Sequence, residues 1–226
     1  MEALRAHKKG LMQQLFPQEG ETQPRLRFPE FAGTGDWSLA SLGELADIIT
    51  GKTPSTTEAE LWGGDILFIT PTDIADKNKY QRTTARTVVV TKSTKILPVG
   101  SIVYTCIASI GKMAITVRPS ITNQQINAVV PRKKTPGEFI YYILESLTPW
   151  IKTIPASTTL PIINKTDFSK IAIPCPPDRA EQKRIADCLT SLDDLIAAET
   201  RKLDTLKTHK KGLMQQLFPK VVEDEA

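Results

Sequence analysis

The tripeptide Gly-Lys-Thr at residues 51–53 has the residue types of a phosphate-binding loop. In such loops a glycine five positions before the final glycine makes the turn, and a helix follows whose N-terminus holds the phosphate. Here the first glycine is replaced by Ala46, and Pro54 follows the threonine directly. Alanine disfavours the turn and proline opposes continuation into a helix, so we do not expect a nucleotide site.

Asp178, Glu181 and Lys183 form an acid–acid–lysine pattern that is found in many metal-dependent nucleases. Those enzymes hold the acids on strands, where the carboxylates converge on magnesium. Here the three residues open a predicted helix, where acids cap free amides and offset the positive end of the helix dipole. We interpret both acids as helix-capping residues, with a stand-alone nuclease as the alternative.

Two further motifs lack the partners that catalysis needs. The segment Cys-Pro-Pro-Asp at 175–178 lacks the asparagine and the aromatic residue that adenine methyltransferases use on a flipped base. There is no glycine-rich fingerprint for S-adenosylmethionine. The two histidines, His7 and His209, lie at matched positions of a repeat, which indicates repetition and not a catalytic or metal-binding pair. We predict no catalytic residue, no metal and no cofactor in this chain.

A near-verbatim internal repeat organises the chain. The eleven residues HKKGLMQQLFP occupy positions 7–17 and return at 209–219, an offset of 202 residues. Chance does not produce eleven identities, so the chain begins within one repeat unit and ends with another.

The second copy closes a long heptad pattern. From residue 177 to the next proline at 219, apolar residues alternate at intervals of four and three once Glu199 and Lys210 fill two gaps. This spacing is typical of a coiled coil, and about 40 residues at 1.5 Å per residue give a rod of about 60 Å. One small domain cannot cover such a rod, so we expect a partner helix. The predicted dimer seam consists of Ile185, Leu189, Leu192, Ile196, Leu203, Leu206, Leu213 and Leu217.

The first copy repeats the seam register with Leu4, Lys8, Leu11 and Leu15. A helix of fewer than fifteen residues is marginal alone, so it should dock onto something long.

Between the two copies we expect an α+β fold, a compact mixed domain. Residues 1–17 are assigned to a short helix, 18–36 to a linker rich in Pro, Gly and Glu, 37–176 to the mixed domain, 177–219 to the long helix and 220–226 to an acidic tail. Strands are predicted at 65–70, 86–91, 101–108, 113–117 and 126–130, and helices at 39–46 and 136–147.

Composition limits the function classes. The net charge of +4 is compatible with a nucleic-acid partner. No apolar run is long enough for a membrane span, and the N-terminus does not resemble a secretion signal. The cysteines 106, 175 and 188 are widely spaced without a Cys-x-x-Cys pair, which favours reduced thiols over zinc. We expect a cytoplasmic protein.

Several blocks in order resemble the specificity subunits of type I restriction–modification systems. They are PRLRFPEF (24–31), LGELADI (42–48), GKTPS (51–55), LWGGDILFIT (61–70), LPVGSIVYTCIASIGKMAI (97–115), ITNQQINAVVP (121–131) and the run from Ser157 to Leu189. The full-length subunits of that family have two target-recognition domains, separated and followed by long helices. This chain looks like the second half of such a subunit, with one recognition domain.

The resemblance implies a non-catalytic reader of double-stranded DNA. A half-length subunit would pair with itself, its long helices antiparallel, and read an interrupted palindrome. Its partners would be methylation subunits, which carry S-adenosylmethionine, and restriction subunits, which use ATP and Mg²⁺.

Polar loops between strands are the expected DNA contacts, because Lys and Arg bind guanine or phosphate and Asn and Gln pair with adenine. The candidates are Lys52, Thr53, Ser55, Thr72, Lys77, Asn78, Lys79, Tyr80, Arg82, Ser109, Lys112, Asn123, Gln124, Gln125, Thr158, Asn164 and Lys165. A coiled-coil adaptor that binds only proteins is the alternative function.

Overall fold

The computed structural model of the chain describes residues 1–18, 20–75, 78–92, 94–154 and 161–218. The helices are α1 (Glu2–Leu15), α2 (Leu42–Leu45), α3 (Gly137–Ile151), α4 (Lys165–Ser169) and α5 (Arg179–Leu217). The strands are β1 (Ser38–Ser41), β2 (Ala46–Thr50), β3 (Trp62–Ile69), β4 (Tyr80–Gln81), β5 (Arg86–Val88), β6 (Ile102–Thr105), β7 (Met113–Thr116), β8 (Ser120–Thr122), β9 (Ile126–Pro131) and β10 (Ala172–Cys175).

The strands form three sheets. The largest has the order β2-β9-β6-β7-β4, antiparallel except for the parallel pair β4–β7. A three-stranded sheet has the order β5-β3-β8, in which β3 and β8 are parallel, and β1 pairs antiparallel with β10.

Strand β6 is buried on both faces, which explains its continuous apolar sequence. Alternation along the strand sends Ile102 and Tyr104 into one hydrophobic cluster and Val103 into another. The first cluster also contains six consecutive buried residues of α3, from Phe139 to Leu144, so α3 is the centre of the domain.

Helix α5 is 39 residues long, about 58 Å. Asp178 caps its N-terminus by accepting a hydrogen bond from the amide of Ala180 (2.7 Å). Only its first part, through Leu189, packs in the core of the domain. Helix α1 docks beside this part, and the Nζ atom of Lys8 lies 2.7 Å from Asp193 of α5 and 3.2 Å from Glu145 of α3.

The predicted fold class is confirmed: a mixed domain carries a short N-terminal and a long C-terminal helix. Each of the five predicted strand segments overlaps a strand. Strands β5, β6 and β7 are shorter than predicted, β3 begins three residues earlier, and β9 extends one residue further. The prediction of a helix over 39–46 was wrong outside residues 42–45. Leu39 lies in β1 because this segment pairs with β10, and Ser41 then begins a one-turn helix through a capping box with Glu44.

The structure also corrects the interpretation of Glu181 as a helix-capping residue. Its carboxylate is fully buried and accepts two hydrogen bonds of 2.7 Å from the guanidinium of Arg27 and one of 3.3 Å from the indole of Trp37. Arg27 belongs to the segment 18–36 that we predicted to be a linker, so this ion pair fastens that segment to the start of α5.

No helix in the described part of the chain combines the length and the apolarity that crossing a bilayer requires.

Candidate nucleic-acid interface

Four loops meet at one end of the sheets. They are residues 51–55 after β2, 70–73 after β3, 106–112 between β6 and β7, and 123–125 between β8 and β9. Backbone and side-chain hydrogen bonds join these loops to one another, and the sequence candidates Lys52, Thr53, Ser55, Thr72, Ser109, Lys112, Asn123, Gln124 and Gln125 all lie on them.

The first and last of these loops are in direct contact at Gly51. Its amide donates to the carbonyl of Ile126 (3.1 Å), and a Cβ atom at this position would lie 2.1 Å from the carbonyl oxygen of Asn123. The hydroxyl of Thr53 then donates to the side-chain oxygen of Gln124 (2.8 Å). The glycine that suggested a phosphate loop is therefore required for loop-to-loop packing.

Asn123 holds the turn that presents Gln124. Its side chain accepts from the amide of Gln125 (3.2 Å) and donates to the Gln125 side chain (2.9 Å), and its own amide donates to Ile69 (3.2 Å). Asn123 is buried, whereas Gln124 is exposed. We therefore regard Asn123 as a positioning residue and Gln124 as the side chain available to a ligand.

The loop 106–112 is held in an unusual backbone conformation. Ala108 has a φ of 61° and Gly111 a φ of 94°, and the hydroxyl of Thr105 donates to the Ser109 carbonyl and accepts from the Lys112 amide. A left-handed alanine is sterically costly, and such positions concentrate at functional sites. Ser109 is exposed at the tip, and Nζ of Lys112 lies 3.5 Å from the carbonyl of Pro71 in the neighbouring loop.

Asp73 makes the loop 70–73 rigid. Its carboxylate accepts hydrogen bonds from the amide and the hydroxyl of Thr70 and from the amide of Ala85, at 2.6–2.8 Å. The Thr70 hydroxyl is also 2.8 Å from that of Thr72, whose side chain is exposed.

A fifth polar segment, residues 161–165, lies against the loop 106–112. The amide of Ala108 donates to Pro161 (3.0 Å) and that of Ile163 to Cys106 (2.9 Å). Asn164 caps α4 through the amide of Asp167 (2.9 Å), so its side chain has a structural use, and Lys165 is exposed. The candidates Thr158 and Lys77 lie outside the described residues.

Two candidates of the segment 78–82 need correction. Nζ of Lys79 donates to the hydroxyls of Tyr142 (2.9 Å) in α3 and Thr190 (2.8 Å) in α5, and burial lowers the pKa of this ammonium. Tyr80 is half-buried in β4, and burial raises the pKa of its hydroxyl. Both side chains serve the junction with the helices, so we remove them from the expected DNA contacts. Asn78 and Arg82 are exposed and stay candidates.

Arg86 is a residue that sequence reasoning missed. Its guanidinium stacks over the indole of Trp62 at 3.3 Å, a cation–π arrangement, and the indole N–H donates to the carbonyl of Ser55 (2.9 Å). The exposed cation is thus fixed beside the loop 51–55. The contact depends on the pairing of β3 with β5, which no local sequence pattern reveals.

The side chains at this end of the domain are polar rather than metal-ligating. Among the described residues there is no cluster of histidine, cysteine or acidic residues suited to a metal ion. Burial raises the pKa of Cys106, at the start of the loop 106–112, to about 11, which favours a protonated thiol at neutral pH. Hydroxyls, an amide and ammonium groups are what the loops present to solvent.

The predicted dimer seam divides into two parts. Ile185 and Leu189 are buried in the hydrophobic core of their own chain, and Leu192 and Ile196 are half-buried. The four remaining seam residues are exposed: Leu203, Leu206, Leu213 and Leu217.

Comparison with known proteins gives consistent matches. Residues 34–208 match the family described as "Type I restriction modification DNA specificity domain". The MjaIX specificity subunit of Methanocaldococcus jannaschii is 32% identical over 190 residues, which are 81% of this chain and 44% of that protein. The HindI specificity subunit of Haemophilus influenzae is 37% identical over 146 residues, 62% of this chain and 32% of that protein.

The matched part thus spans less than half of the length of either curated relative. The crystal structure of the HsdS subunit from Thermoanaerobacter tengcongensis superposes with a TM-score of 0.66 at 21% identity, covering 89% of this chain and 46% of that one. At this identity the likeness establishes the fold alone.

Proposed function

Because this chain belongs to the family of type I restriction–modification DNA specificity subunits, we propose that it reads a DNA sequence without performing chemistry itself. The observation that carries the proposal is the convergence of the loops 51–55, 70–73, 106–112 and 123–125 at one end of the domain, where their polar side chains reach solvent.

Two kinds of contact would divide the work of binding. The ammonium groups of Lys52, Lys112 and Lys165 and the guanidinium of Arg86 suit phosphates or guanine, and contacts to phosphates position a protein without reading sequence. The exposed amide of Gln124 suits a bidentate pair with adenine. Because Gly51, Asn123 and Asp73 fix the loops through internal hydrogen bonds, the readout groups are ordered before DNA arrives, which lowers the entropic cost of binding.

The chemistry of such an enzyme would reside on partner subunits. We propose that methylation subunits supply S-adenosylmethionine and restriction subunits supply ATP and Mg²⁺, in the cytoplasm, and that this chain holds none of these cofactors. The nuclease alternative is disfavoured by the uses that Asp178 and Glu181 already have, as helix cap and as buried partner of Arg27.

A homodimer with antiparallel long helices would present two recognition domains to one site. The exposed apolar residues Leu203, Leu206, Leu213 and Leu217 support this, since a stripe of this kind needs a partner. A two-fold dimer would read an interrupted palindrome, with half-sites about one DNA turn apart.

The test is methylome sequencing of cells that co-express this chain with its methylation subunit. We expect one interrupted palindrome to be methylated. An asymmetric or continuous target would contradict the homodimer, and no new methylation would contradict the assignment as a DNA reader.

The exposed seam also favours the alternative of an adaptor that binds only proteins. A gel-shift assay with the purified complex separates the two functions, because binding through phosphates weakens steeply with salt. Retardation that declines between low and physiological salt supports DNA reading. No retardation at any salt concentration supports the adaptor.

A further inference from the structure

The two copies of the repeat have identical sequences and opposite environments. Each copy is helical and ends its helix at the matched residue, Leu15 in α1 and Leu217 in α5. Leu15 and Phe16 are each 1% exposed, whereas Leu217 and Phe218 are each 69% exposed. The second copy therefore has the same apolar face as the first, without the surface that covers it.

The surface that covers the first copy is a groove formed by α5, α3 and Trp37, which we call the repeat groove. Leu15 and Phe16 share a hydrophobic cluster with Leu189 of α5, and the ring of Phe16 lies 5.9 Å from that of Phe139. Lys8 sits at the other end of the groove, paired with Asp193 at 2.7 Å.

These contacts define the direction of packing. Lys8 pairs near residue 193, whereas Leu15 lies further along α1 and clusters with Ile185 and Leu189, so α1 runs antiparallel to α5. Anchored by Lys8 beside Asp193, an antiparallel register would place Lys8 opposite Leu192, Leu11 opposite Leu189 and Leu15 opposite Ile185. Seam positions would then meet seam positions along α1.

Transferring the register to the second copy gives a symmetric pair of long helices. Leu217 of one chain would face Ile185 of the other, Leu213 would face Leu189, and Lys210 would face Leu192 beside Asp193. Continuing inward, Ile196 meets Leu206 and Glu199 meets Leu203. Each pair therefore occurs twice, related by a two-fold axis, as an isologous dimer interface requires.

We propose that the repeat groove is also the docking site for the C-terminal repeat of a second copy of this chain, so that α1 and the partner's repeat compete for it. This inference rests on the homodimer proposed above and adds its mechanism. Complete pairing of the seam from residue 185 to 217 requires that α1 leaves the groove.

The competition is finely balanced because both occupants make the same contacts. Helix α1 has the advantage of a short tether, which gives effective concentrations of about millimolar. The partner's helix has the advantage of continuing past α1, where it also buries Leu203 against Glu199 on each side. Weakening either copy should therefore shift the monomer–dimer equilibrium, and in opposite directions.

Sedimentation equilibrium of the full-length chain tests this with two variants that change the same residue in the same local sequence. Leu15→Asp removes α1 from the groove, and we expect dimerisation at a concentration at least about tenfold lower than that of the wild type. Leu217→Asp prevents the partner's repeat from docking, and we expect a monomer. A dimer that weakens equally with both variants, or that neither variant changes, overturns the competition.

Circular dichroism and thermal unfolding identify a Leu15→Asp chain that fails to fold. In that case Lys8→Glu and Lys210→Glu provide a milder pair, with the same expectation of a tighter dimer for the first and a weaker dimer for the second. Equal effects of these two would again contradict the proposal.

The gel-shift assay keeps this failure distinct from failure of the proposed function. None of these substitutions touches the loop end of the domain, so DNA retardation should persist if only the competition is wrong. If the wild type did not retard DNA at all, DNA reading would be contradicted, whereas the conclusion drawn from sedimentation about dimerisation would be unaffected.

Discussion

The two ends of the mixed domain use the same residue types in opposite ways. At the end that faces the helices, Lys8 and Lys79 bind partners on α3 and α5. Arg27 there donates to Glu181 and to the loop residues Thr34 and Gly35. At the loop end, Lys52 and Gln124 project into solvent.

The difference indicates that a polar side chain is available to a ligand where the fold leaves it exposed, as at Gln124, whose oxygen accepts from Thr53 while the side chain still reaches solvent. A buried charge without a partner costs several kcal/mol, so the helix end had to supply one for each of these cations. The loop end spends its internal hydrogen bonds on backbone groups and on positioning residues such as Asn123 and Asp73. We propose that its exposed side chains, such as Lys52 and Gln124, contact DNA.

The substitution with the largest expected effect is Glu181→Ala, at the helix end. The substitution removes the buried carboxylate that accepts hydrogen bonds from Arg27 and Trp37, and we expect a loss of about 3 kcal/mol in the free energy of unfolding, measured by urea denaturation. The matched control is Glu30→Ala, which removes the exposed ion pair with Arg184 and should have a far smaller effect. Equal losses of stability in the two variants would mean that the buried ion pair contributes no more than the exposed one.

At the loop end, Gly51→Ala should have the next largest effect. The added Cβ would collide with the backbone oxygen of Asn123, so the loops must separate, at a cost of about 2 kcal/mol. We also expect weaker DNA binding, since Gln124 would lose its position. Gly33→Ala is the control, because a Cβ there meets no atom within 4 Å. If Gly51→Ala bound DNA with unchanged affinity, the packing of these loops would not be needed for DNA binding.

A matched pair of lysines compares the two ends directly. Lys79→Met should lower stability by about 1.5 kcal/mol through lost hydrogen bonds to Tyr142 and Thr190, with DNA affinity retained. Lys112→Met should leave stability nearly unchanged, weaken DNA binding and reduce by about one the slope of log affinity against log salt. If Lys79→Met weakened DNA binding and Lys112→Met lowered stability, the roles proposed for the two lysines would be wrong.

The smallest effect concerns pH. Burial lowers the pKa of Lys79 below its ordinary value, so between the two values the unfolded chain binds more protons than the folded chain. The contribution of Lys79 to stability must then rise with pH across that window. We expect the stability difference between wild type and Lys79→Met to grow as the pH rises toward the ordinary pKa of a lysine side chain. A difference independent of pH would mean that the pKa of Lys79 is the same in both states.

Sequence predicted the regular elements wherever the signal was local. The heptad spacing of α5 and the apolar periodicity of α3 depend on neighbours three and four residues away, so both helices were found. Strands β1 and β10 were missed because each is four residues long and exists through pairing between Ser38 and Cys175, which are far apart along the chain. The exposed Leu39 then resembled a helical position.

The loops were found as candidates, but their uses were not. Lys79 and Lys112 both stand in polar segments next to strands, and only the positions of α3 and α5 distinguish them. Arg86 gave no signal, because its stacking partner Trp62 lies across a strand pair.

By itself the sequence determined the approximate length of the long helix, its helical periodicity and the existence of two identical repeats. These follow from hydrogen bonding and side-chain spacing within a few turns of helix. Only the tertiary structure decided that the apolar face of the first repeat is buried while that of the second is exposed. It also decided which lysines are buried at the helices and which reach solvent. Burial depends on surfaces that distant segments bring together, so two identical sequences in one chain can be buried to different extents.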